Sequence, residues 1–444
     1  MNTKHLVYVV GAGPAGLYAA QQLASQPNTE VVLLNRDIKP GGLAEYGIYH
    51  SKHKMKEGLR GQFRKIMALP NLRYFGNVVV GQESGLTLAD LQASGADAIL
   101  VCVGAQGTKW LELPGEHLHR AFHAKEIVYH YNQLPPFSEE TYAIGKHVVV
   151  VGVGNVAMDI AHHLVHDVQA ETVTIVARRS AADVKFTQKE LEGISANLDT
   201  ADFTAEIARI APIMQAAGQD VASAQNYILN TVNTADPSHS ATQVRMRFLL
   251  SPTQIVDDGN GNVGNLKLED TTLKLREDGT TSARGLGTFQ NIPCDTVIFA
   301  IGDAADPHIG LPIGRNGYQT RPTARFPQEE NNYEAWDADN PQAVENVFLA
   351  GWARNASVGL VGIARKDGTN GAKAVLAYLA DKPTRDITAD LAALSARLLA
   401  MGAITRDDWK VLEAEEARLM KERGLPVFKF SSNAEMLQVI KGDH

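Results

Sequence analysis

Apolar runs that lead into glycine-rich turns and then into amphipathic helices occur twice along the chain. The first is HLVYVVGAGPAGLYAAQQLA, where the apolar run ends at Val10, and the second is KHVVVVGVGNVAMDIAHHLV. Uninterrupted runs of this kind, rich in β-branched residues, are typical of strands buried on both faces of a parallel sheet. The pattern therefore predicts two strand–turn–helix units in an α/β protein.

The first turn has Gly-x-Gly-x-x-Gly spacing and contains Gly11, Gly13, Pro14, Ala15 and Gly16. In a dinucleotide-binding loop the first glycine makes the tight turn, and the second lets the backbone approach a pyrophosphate. The third glycine lets the helix pack on the strand. The pyrophosphate then lies at the helix N-terminus, where free N–H groups and the helix dipole favour an anion. The strand and helix on either side make this turn a predicted dinucleotide site.

The second strand of the first unit, EVVLLN, ends at Asn35, 24 residues after Gly11. A glutamate or aspartate commonly binds the ribose at this position. Asn35 could accept a bond from a ribose hydroxyl without bringing a charge, or it could form the turn before RDIKPGG. Both interpretations stay open.

The second turn repeats the glycine spacing with Gly152, Gly154, Asn155 and Val156, and it has Ala157 at the third position. Alanine is tolerated there because the helix needs only a small residue to pack on the strand. The first glycines of the two turns are 141 residues apart. We therefore expect the protein to bind two dinucleotides.

Two adjacent arginines, Arg178 and Arg179, end the strand that follows the second turn, 26 residues after Gly152. A carboxylate at this position would accept the 2′-OH of NAD and repel a 2′-phosphate. Two guanidinium groups bind a phosphate through charge-assisted, bidentate bonds. The second dinucleotide is therefore predicted to be NADP(H), and the alternative is a solvated basic strand end.

Composition narrows the function classes. The chain has 444 residues, 44% of them hydrophobic and 21% charged, which is long enough for two domains and typical of a globular protein. No apolar run approaches the roughly 18 residues of a membrane span, and the N-terminus enters a strand directly, so we expect a cytoplasmic protein without a membrane segment. A net charge of −8 argues against general nucleic-acid binding.

The two cysteines, Cys102 and Cys294, each lie in an apolar, strand-like run and are expected to be packed thiols. Two cysteines supply no Cys-x-x-Cys dithiol and too few ligands for an iron–sulfur cluster, which normally needs four thiolates. His162, His163 and His166 lie on one predicted helix and are interpreted as surface residues. We expect no metal site.

Five stretches and the C-terminal tail match motifs that occur together in one protein family. VYVVGAGPAGLYAA resembles its FAD loop, and GGLAEYGIYHSKHKMK resembles its GLVRYGVAPDHPxxK segment. VVVVGVGNVAMDIA, VARRSAADVKFTQKEL and FLAGWARNASVGLVGIARKDG resemble its VIGNGNVALDVAR, GRRGPxxxxFTxxEL and GWxKRGPxGxIGTN segments. The chain thus resembles, almost end to end, the adrenodoxin reductase-type ferredoxin–NADP reductases, flavoproteins with the glutathione-reductase-like two-domain fold.

The resemblance implies FAD and NADP(H) as cofactors and roles for the matching residues. The residues implied to bind FAD are Gly11, Gly13, Pro14, Ala15, Gly16, Asn35, Gly42, Leu43, Gly104, Gly351, Trp352, Gly359, Leu360, Val361 and Gly362. Those implied to bind NADP(H) are Gly152, Gly154, Asn155, Val156, Arg178, Arg179 and Glu190. The implied catalytic residues are Trp352 and Gly359, beside the nicotinamide, and Asp159, which would help proton traffic at the flavin. An alternative for Asp159 is an acid that complements the helix dipole.

The chain departs from the family motifs at three places. Lys52 stands where the family has the histidine of APDHP, so an Asp159–histidine proton relay does not carry over directly. Ala356 and Ser357 stand in place of the Gly-Pro pair, in a loop implied to contact both flavin and nicotinamide. Asn35 is the third departure.

The predicted fold is α/β, with two Rossmann-like dinucleotide-binding domains and a helical C-terminal extension. The FAD-binding domain is discontinuous, with residues 1–107 as its first part and 316–444, including the extension, as its second. Residues 108–315 form the NADP-binding domain. Within it, a helical excursion is expected between residues 195 and 245 and β-hairpins after it.

The leading functional hypothesis is an enzyme that passes electrons from NADPH through FAD to a ferredoxin-like iron–sulfur protein. A second hypothesis keeps both nucleotides but makes the chain an NADPH diaphorase or an electron-input subunit of a larger complex. A third is a non-catalytic NADP(H)/FAD redox sensor. A flavin monooxygenase is a further alternative, which hydroxylated product or rapid hydrogen peroxide formation would indicate.

Overall fold

Strands and helices alternate along most of the chain in the computed structural model, which describes residues 3–235, 237–238 and 240–442. The strands are β1 (Thr3–Val10), β2 (Thr29–Leu34), β3 (Leu72–Gly76), β4 (Ala98–Val101), β5 (Gly107–Thr108), β6 (Ala121–His123), β7 (His147–Val151), β8 (Thr172–Val176), β9 (Gln243–Arg247), β10 (Leu250–Asp257), β11 (Val263–Leu275), β12 (Thr281–Pro293), β13 (Thr296–Phe299), β14 (Asp303–Ala304), β15 (Val347–Leu349), β16 (Arg385–Asp386) and β17 (Ile404–Thr405). The α-helices are α1 (Pro14–Ala24), α2 (Leu43–Tyr46), α3 (His53–Met67), α4 (Leu88–Ala93), α5 (Ala124–Tyr131), α6 (Asn155–His163), α7 (Gln188–Ser195), α8 (Thr200–Ala216), α9 (Val221–Leu229), α10 (Val361–Leu379), α11 (Thr388–Ala400), α12 (Arg406–Glu422) and α13 (Asn433–Lys441).

The first of two compact units contains the chain up to Thr108, Tyr129–Glu139 and the chain from Asp303. Its sheet has the order β15–β4–β1–β2–β3–β17, parallel from β15 to β3, with β17 antiparallel at the edge. Side chains of β1 alternate between two cores, because successive residues of a strand point to opposite faces. Val7 and Val9 pack with α1 and α10, and Leu6 and Tyr8 pack with α4 and α11.

The second unit contains Lys109–Val128 and Glu140–Gly302. Its parallel sheet has the order β6–β13–β7–β8–β9. An antiparallel sheet, β10–β11–β12, follows β9 and confirms the predicted hairpins. Helices α8 and α9 confirm the helical excursion, and α11, α12 and α13 confirm the helical C-terminal part. The predicted α/β fold with two dinucleotide-binding-type sheets is thus confirmed.

The boundaries of the units differ from the predicted ones at two places. The second unit ends at Gly302 and not at residue 315, because the returning chain pairs at once with the departing chain, Asp303 with Thr108, in the β14–β5 ladder. Residues 129–139 belong to the first unit, where Ser138 Oγ donates to Ser431 O (2.5 Å). Residues 1, 2, 236, 239, 443 and 444, which the predicted domains include, lie outside the described residues.

None of the helices that the structure describes combines the length and the hydropathy needed to cross a membrane.

Gly16 and Gly368 allow close contacts between backbones: Gly16 lets α1 contact the first glycine turn, and Gly368 lets α10 contact α1. A Cβ added to Gly16 would lie 1.8 Å from Gly11 O, and one added to Gly368 would lie 2.1 Å from Ala15 O. Both distances are far below van der Waals contact, so α10 can cross α1 at this point only because Gly368 has no side chain.

We expect Gly368→Ala to destabilise the protein by on the order of 1–3 kcal/mol or more, because the new methyl group would force the two helices apart. Thermal or urea unfolding followed by circular dichroism measures this. Gly61→Ala is the matched control: Gly61 also lies inside a helix, α3, and nothing lies within 4 Å of the position of an added Cβ. Equal stability of the two variants would contradict the close contact.

Candidate functional site

The first glycine turn connects β1 to α1 through a conformation that needs glycine. Gly11 has φ +104°, and a Cβ on it would lie 2.5 Å from Cys102 O. Gly13 is the N-cap of α1 and brings no capping side chain. A Cβ on Gly13 would meet only Gly42 Cα, at 4.0 Å. The N-terminal N–H groups of α1 therefore have an open side, and this turn fits the pyrophosphate of a dinucleotide.

The Asn35 side chain forms hydrogen bonds with the backbone of this turn and of the segment after β2. Its Oδ1 accepts a hydrogen bond from Ala12 N–H (2.9 Å), and its Nδ2 donates to Asp37 O (2.8 Å) and Lys39 O (3.0 Å). The residue is 6% exposed. These contacts favour the turn-forming interpretation of Asn35 over a ribose contact.

A second glycine pair lies directly against the first turn. Gly41 N–H donates to Ala12 O (2.7 Å). Gly42 has φ +49°, and a Cβ on it would lie 2.9 Å from Gly13 Cα. Gly42 is also the N-cap of α2, so Leu43 begins a short helix beside the predicted FAD loop. The structure thus brings Gly11, Gly13, Gly42 and Leu43 together.

A buried group of charged side chains, which no local sequence pattern indicated, supports α2. The Glu45 carboxylate accepts two hydrogen bonds from Arg60, from Nε (2.7 Å) and Nη2 (2.6 Å). Its Oε1 also forms an ion pair with Lys429 Nζ (3.0 Å). Lys39 lies 3.6 Å from Glu45 and pairs with Glu416. The partners are up to 384 residues apart in sequence, which is why local patterns do not reveal them.

Lys56 lies beside this group and is 5% exposed. Its Nζ donates to Asn132 Oδ1 (2.6 Å). Burial, followed by the charge of Lys429, lowers the pKa of Lys56 to about 7, and Glu45 offsets only part of this effect. Lys56 therefore carries its full charge only below neutral pH.

The segment before α10 also packs on the first glycine turn. Gly351 has φ +67°, a Cβ on it would lie 2.6 Å from Ala15 Cβ, and its N–H donates to Asp367 Oδ2 (2.6 Å). Trp352 Nε1–H donates to Val358 O (2.9 Å). The Trp352 ring is therefore held within the loop by a contact that the motif does not reveal.

Apolar side chains at the start of α10 are exposed. Leu360, the N-cap, has no capping side-chain bond and is 63% exposed, and Val358 and Ile363 are 56% and 54% exposed. Gly359 has φ +78°, and nothing lies within 4 Å of a Cβ on Gly362. Val361 is the first residue of α10. An open, apolar helix start of this kind fits a planar, largely apolar ring.

Gly104 is the remaining glycine that the motifs imply to bind FAD. It follows β4 with φ +73°, and the nearest atom to an added Cβ is Gln106 Nε2, at 3.5 Å.

The Ala356-Ser357 departure changes the backbone of this loop. Ser357 has φ +58°, a value that the proline ring, fixed near −65°, cannot adopt. Ser357 Oγ accepts a hydrogen bond from Asp303 N–H (2.9 Å). The loop is therefore tied to the returning strand β14 in a way that a Gly-Pro sequence could not reproduce.

The second glycine turn, in the second unit, has the same backbone features: a first glycine with positive φ in close contact with a neighbouring strand end, and a helix start without a capping side chain. Gly152 has φ +130°, and a Cβ on it would lie 2.3 Å from Ala300 O. Gly154 is the N-cap of α6, with no capping side chain and nothing within 4 Å of an added Cβ. Val156, in the first turn of α6, is 42% exposed. These features fit a second pyrophosphate.

The segment before α7 lies along this turn. Lys185 N–H donates to Val153 O (2.8 Å), and Thr187 N–H donates to Asn155 Oδ1 (2.9 Å). Thr187 is in turn the N-cap of α7, which contains Glu190. Asn155 thus holds the segment against the turn, a role that the motif alone does not indicate.

The two arginines after β8 differ in their surroundings. Arg178 is exposed, and its main-chain carbonyl accepts a bond from Thr271 Oγ1 (2.8 Å). Arg179 is partly buried and its Nη1 pairs with Asp183 Oδ1 (3.1 Å). Both lie at the carboxyl end of a parallel strand, where α/β sheets bind ligands.

The three predicted catalytic residues are divided between the two units. Trp352 and Gly359 lie in the first unit, and Asp159, on α6, lies in the second and is partly buried. Both cysteines are buried, as predicted, and burial raises the pKa of each thiol.

Among residues 3–235, 237–238 and 240–442, no group of three or more histidine, cysteine and acidic side chains is placed to hold a metal ion. The three histidines of the α6 region are half-buried. His163 Nδ1 lies 2.7 Å from Asp167 Oδ2, and the rings of His162 and His166 are 4.4 Å apart. His166 Nε2 also lies 2.8 Å from Gly193 O, on α7, so these side chains pack against α7 rather than lying free on the surface as expected.

Residues 5–198 match the family described as pyridine nucleotide-disulphide oxidoreductase. NADPH-ferredoxin reductase FprA of Mycobacterium leprae is 28% identical over 99% of this chain and 99% of its own length. Human mitochondrial NADPH:adrenodoxin oxidoreductase is 26% identical over 98% of this chain and 91% of its own. The chain is a homologue of these reductases over nearly its full length.

Solved structures agree with this homology. A mutant of FprA from Mycobacterium tuberculosis has a TM-score of 0.81 at 25% identity, covering 99% of this chain and all of the other. The complex of that protein with NADPH has the same TM-score at 24% identity and supports the fold. The chain is therefore an oxidoreductase with FAD and NADP(H) as its cofactors, and the predicted family resemblance is confirmed.

We expect Gly154→Ala to weaken NADP⁺ binding roughly tenfold or more, about 1.4 kcal/mol. The methyl group has room in the protein but would take the space that a pyrophosphate bound at this turn would need. Isothermal titration with NADP⁺ measures the change, and melting temperature and flavin content should not change. Gly13→Ala is the reciprocal control and should lower flavin retention while sparing NADP⁺ binding. Unchanged binding in both variants would refute the assignment of the two turns.

We expect Lys56 to make the protein more stable as pH rises above 7. Its pKa is about 7 in the folded chain, below the ordinary value of 10.5. Between pH 7 and pH 10.5 the unfolded chain therefore binds one more proton than the folded chain, and the free energy of unfolding rises with pH. The free energy of unfolding of the wild type minus that of Lys56→Met should therefore increase from about pH 7 to about pH 9.5. Lys54→Met, an exposed change in the same helix, should show no such trend.

Proposed function

We propose that this protein passes electrons from NADPH through FAD to a ferredoxin-type iron–sulfur protein. The observation that carries the proposal is the exposed Arg178 at the carboxyl end of β8, in the same unit as the open turn at Gly154. A cationic strand end beside a pyrophosphate-binding turn favours a dinucleotide with an additional phosphate. The names of the relatives, NADPH-ferredoxin reductase and NADPH:adrenodoxin oxidoreductase, support the same acceptor class.

In the first unit, the residues at the two glycine segments and at the start of α10 would hold FAD. The N–H groups at the start of α1 would bind its pyrophosphate, and the exposed apolar start of α10 would contact the ring system. FAD supplies the redox chemistry, because it can take up two electrons with a hydride and release them singly. The protein's own residues would bind the cofactor and orient it.

In the second unit, the turn at residues 152–157 would hold the pyrophosphate of NADPH, and Arg178, Arg179 and Glu190 would lie at its adenosine end. An arginine discriminates well between NADPH and NADH, because a guanidinium forms two parallel bonds with a phosphate. With the 2′-phosphate absent, those bonds are lost. Selection of NADPH therefore follows from the charge and geometry of the strand end.

We expect Arg178→Ala to lower kcat/KM for NADPH roughly 10- to 100-fold and to leave NADH turnover unchanged. One charge-assisted contact is worth about 1.5–3 kcal/mol. Arg276→Ala is the charge-matched control, because Arg276 is an exposed arginine of the same unit, in the turn between β11 and β12. Equal losses with NADPH and NADH, or an effect of the control as large as that of Arg178→Ala, would count against the proposal.

The acceptor is tested by mixing the flavin-loaded protein anaerobically with NADPH in a stopped-flow instrument and then adding an oxidised [2Fe–2S] ferredoxin. Fast bleaching of the flavin followed by ferredoxin reduction would support the proposal. Fast bleaching with transfer only to dyes such as ferricyanide would favour a diaphorase. A flavin that NADPH leaves oxidised would favour the redox sensor.

A cytoplasmic location stays a prediction, which fractionation of the source cells would test.

A further inference from the structure

The chain after β8 forms a tight turn, residues 178–183, here called the arginine turn. It begins at Arg178 and ends in a short 3-10 helix, Ala181–Asp183, whose N-cap is Ser180. At its end, the Asp183 side chain is 12% exposed and lies against donors from three separate parts of the second unit. The contacts of this carboxylate are Thr281 Oγ1 (2.6 Å), Ser180 Oγ (2.9 Å), Gln219 Nε2 (3.0 Å) and Arg179 Nη1 (3.1 Å).

These donors keep Asp183 charged despite its burial. Burial raises the pKa of the Asp183 carboxyl, but the hydrogen bonds from Thr281, Gln219 and Ser180 and the charge of Arg179 outweigh it, and the pKa lies below the usual value. An ionised acid beside a predicted phosphate site would ordinarily repel the phosphate. Here its charge is directed at Arg179 and at neutral donors.

Asp183 holds one end of the Arg179 guanidinium. Nη1 of Arg179 donates to Asp183 Oδ1 and approaches Thr281 O at 3.4 Å. In the part of the chain that the structure describes, Nε and Nη2 of Arg179 make no hydrogen bond, and the side chain is 29% exposed. The guanidinium is therefore fixed at one nitrogen and has its other donors available for a ligand.

The arginine turn is also fixed to the β10–β11–β12 sheet. Thr271 Oγ1, on β11, donates to Arg178 O (2.8 Å), and Leu249 N–H donates to Arg179 O (3.2 Å). Thr281, which contacts both Asp183 and Arg179, is the first residue of β12. The main-chain carbonyls of both arginines are therefore held by residues that lie in this sheet or directly before it.

We propose that Asp183 is a positioning residue for NADPH selection: it orients Arg179 toward the 2′-phosphate and anchors that arginine to β12 through Thr281. The inference rests on the proposed function, because it assumes that the arginine turn binds the adenosine end of NADPH. Binding energy is gained when a flexible arginine is held in its bound geometry in advance. Arg178 remains the exposed partner that completes the phosphate contact.

The test is Asp183→Asn, with binding of NADP⁺ and of NAD⁺ measured by isothermal titration, and with ferricyanide as the acceptor for kinetics. Positioning predicts a roughly tenfold higher Kd for NADP⁺ and a similar rise in KM for NADPH. It predicts unchanged kcat, NAD⁺ affinity and flavin content. Thr281→Val, which keeps the carboxylate but removes one of its donors, should give a smaller rise of a few-fold.

Two results would overturn the inference. Tighter NADP⁺ binding by Asp183→Asn would mean that the carboxylate acts only by repelling the phosphate. Equal weakening of NADP⁺ and NAD⁺ would mean that Asp183 merely supports the turn. Asp278→Asn, an exposed acid in the β11–β12 turn with the same change of charge, is the control and should leave both affinities unchanged.

The same titrations separate this inference from the proposed function. If Arg178→Ala abolishes the preference for NADP⁺ while Asp183→Asn does not change it, only the positioning role fails. If the wild-type protein itself shows no preference for NADP⁺ over NAD⁺, the proposed function fails with it.

Discussion

Close contact between backbones around the first glycine turn is the constraint on which the first unit depends. Gly11 lies against Cys102, Gly42 against Gly13, and Gly368 against Ala15, each at a distance that a Cβ would not permit. These contacts join the end of β1, the start of α2 and the middle of α10, which are more than 350 residues apart in sequence. The absence of side chains thus gives α1 an uncapped N-terminus in a closely packed setting, the combination that a pyrophosphate site requires.

The sequence predicted the features that depend on local pattern. The apolar runs of β1 and β7, the glycines at Gly11 and Gly152 and the arginines after β8 all occur where expected, because strand burial and turn conformation are encoded within about 30 residues. The departure at Ser357 was also visible, but only the structure shows its meaning. The residue adopts a backbone conformation closed to proline and bonds to the strand that returns from the second unit.

The features that depend on distant partners could not be predicted. A sequence shows that Glu45 and Lys429 are charged but not that they form a buried pair. It likewise shows two arginines at the end of β8, but not that Asp183 distinguishes one from the other. Asn35 illustrates the same limit, because its amide bonds to the backbone of the turn where the motif indicates a ligand contact. The unit boundary at Asp303 was missed since it is set by pairing with Thr108.

The order of the units along the chain has a consequence for synthesis. All strands and helices of the second unit have been made once Gly302 has been added, and this unit has its own core. The first unit includes Lys429, whose Nζ is buried against Glu45 and the carbonyl of Asn132. Because domains fold as units during translation, the inserted unit can complete its core while the chain is still growing. The unit that begins the chain must wait for its last residues to leave the ribosome.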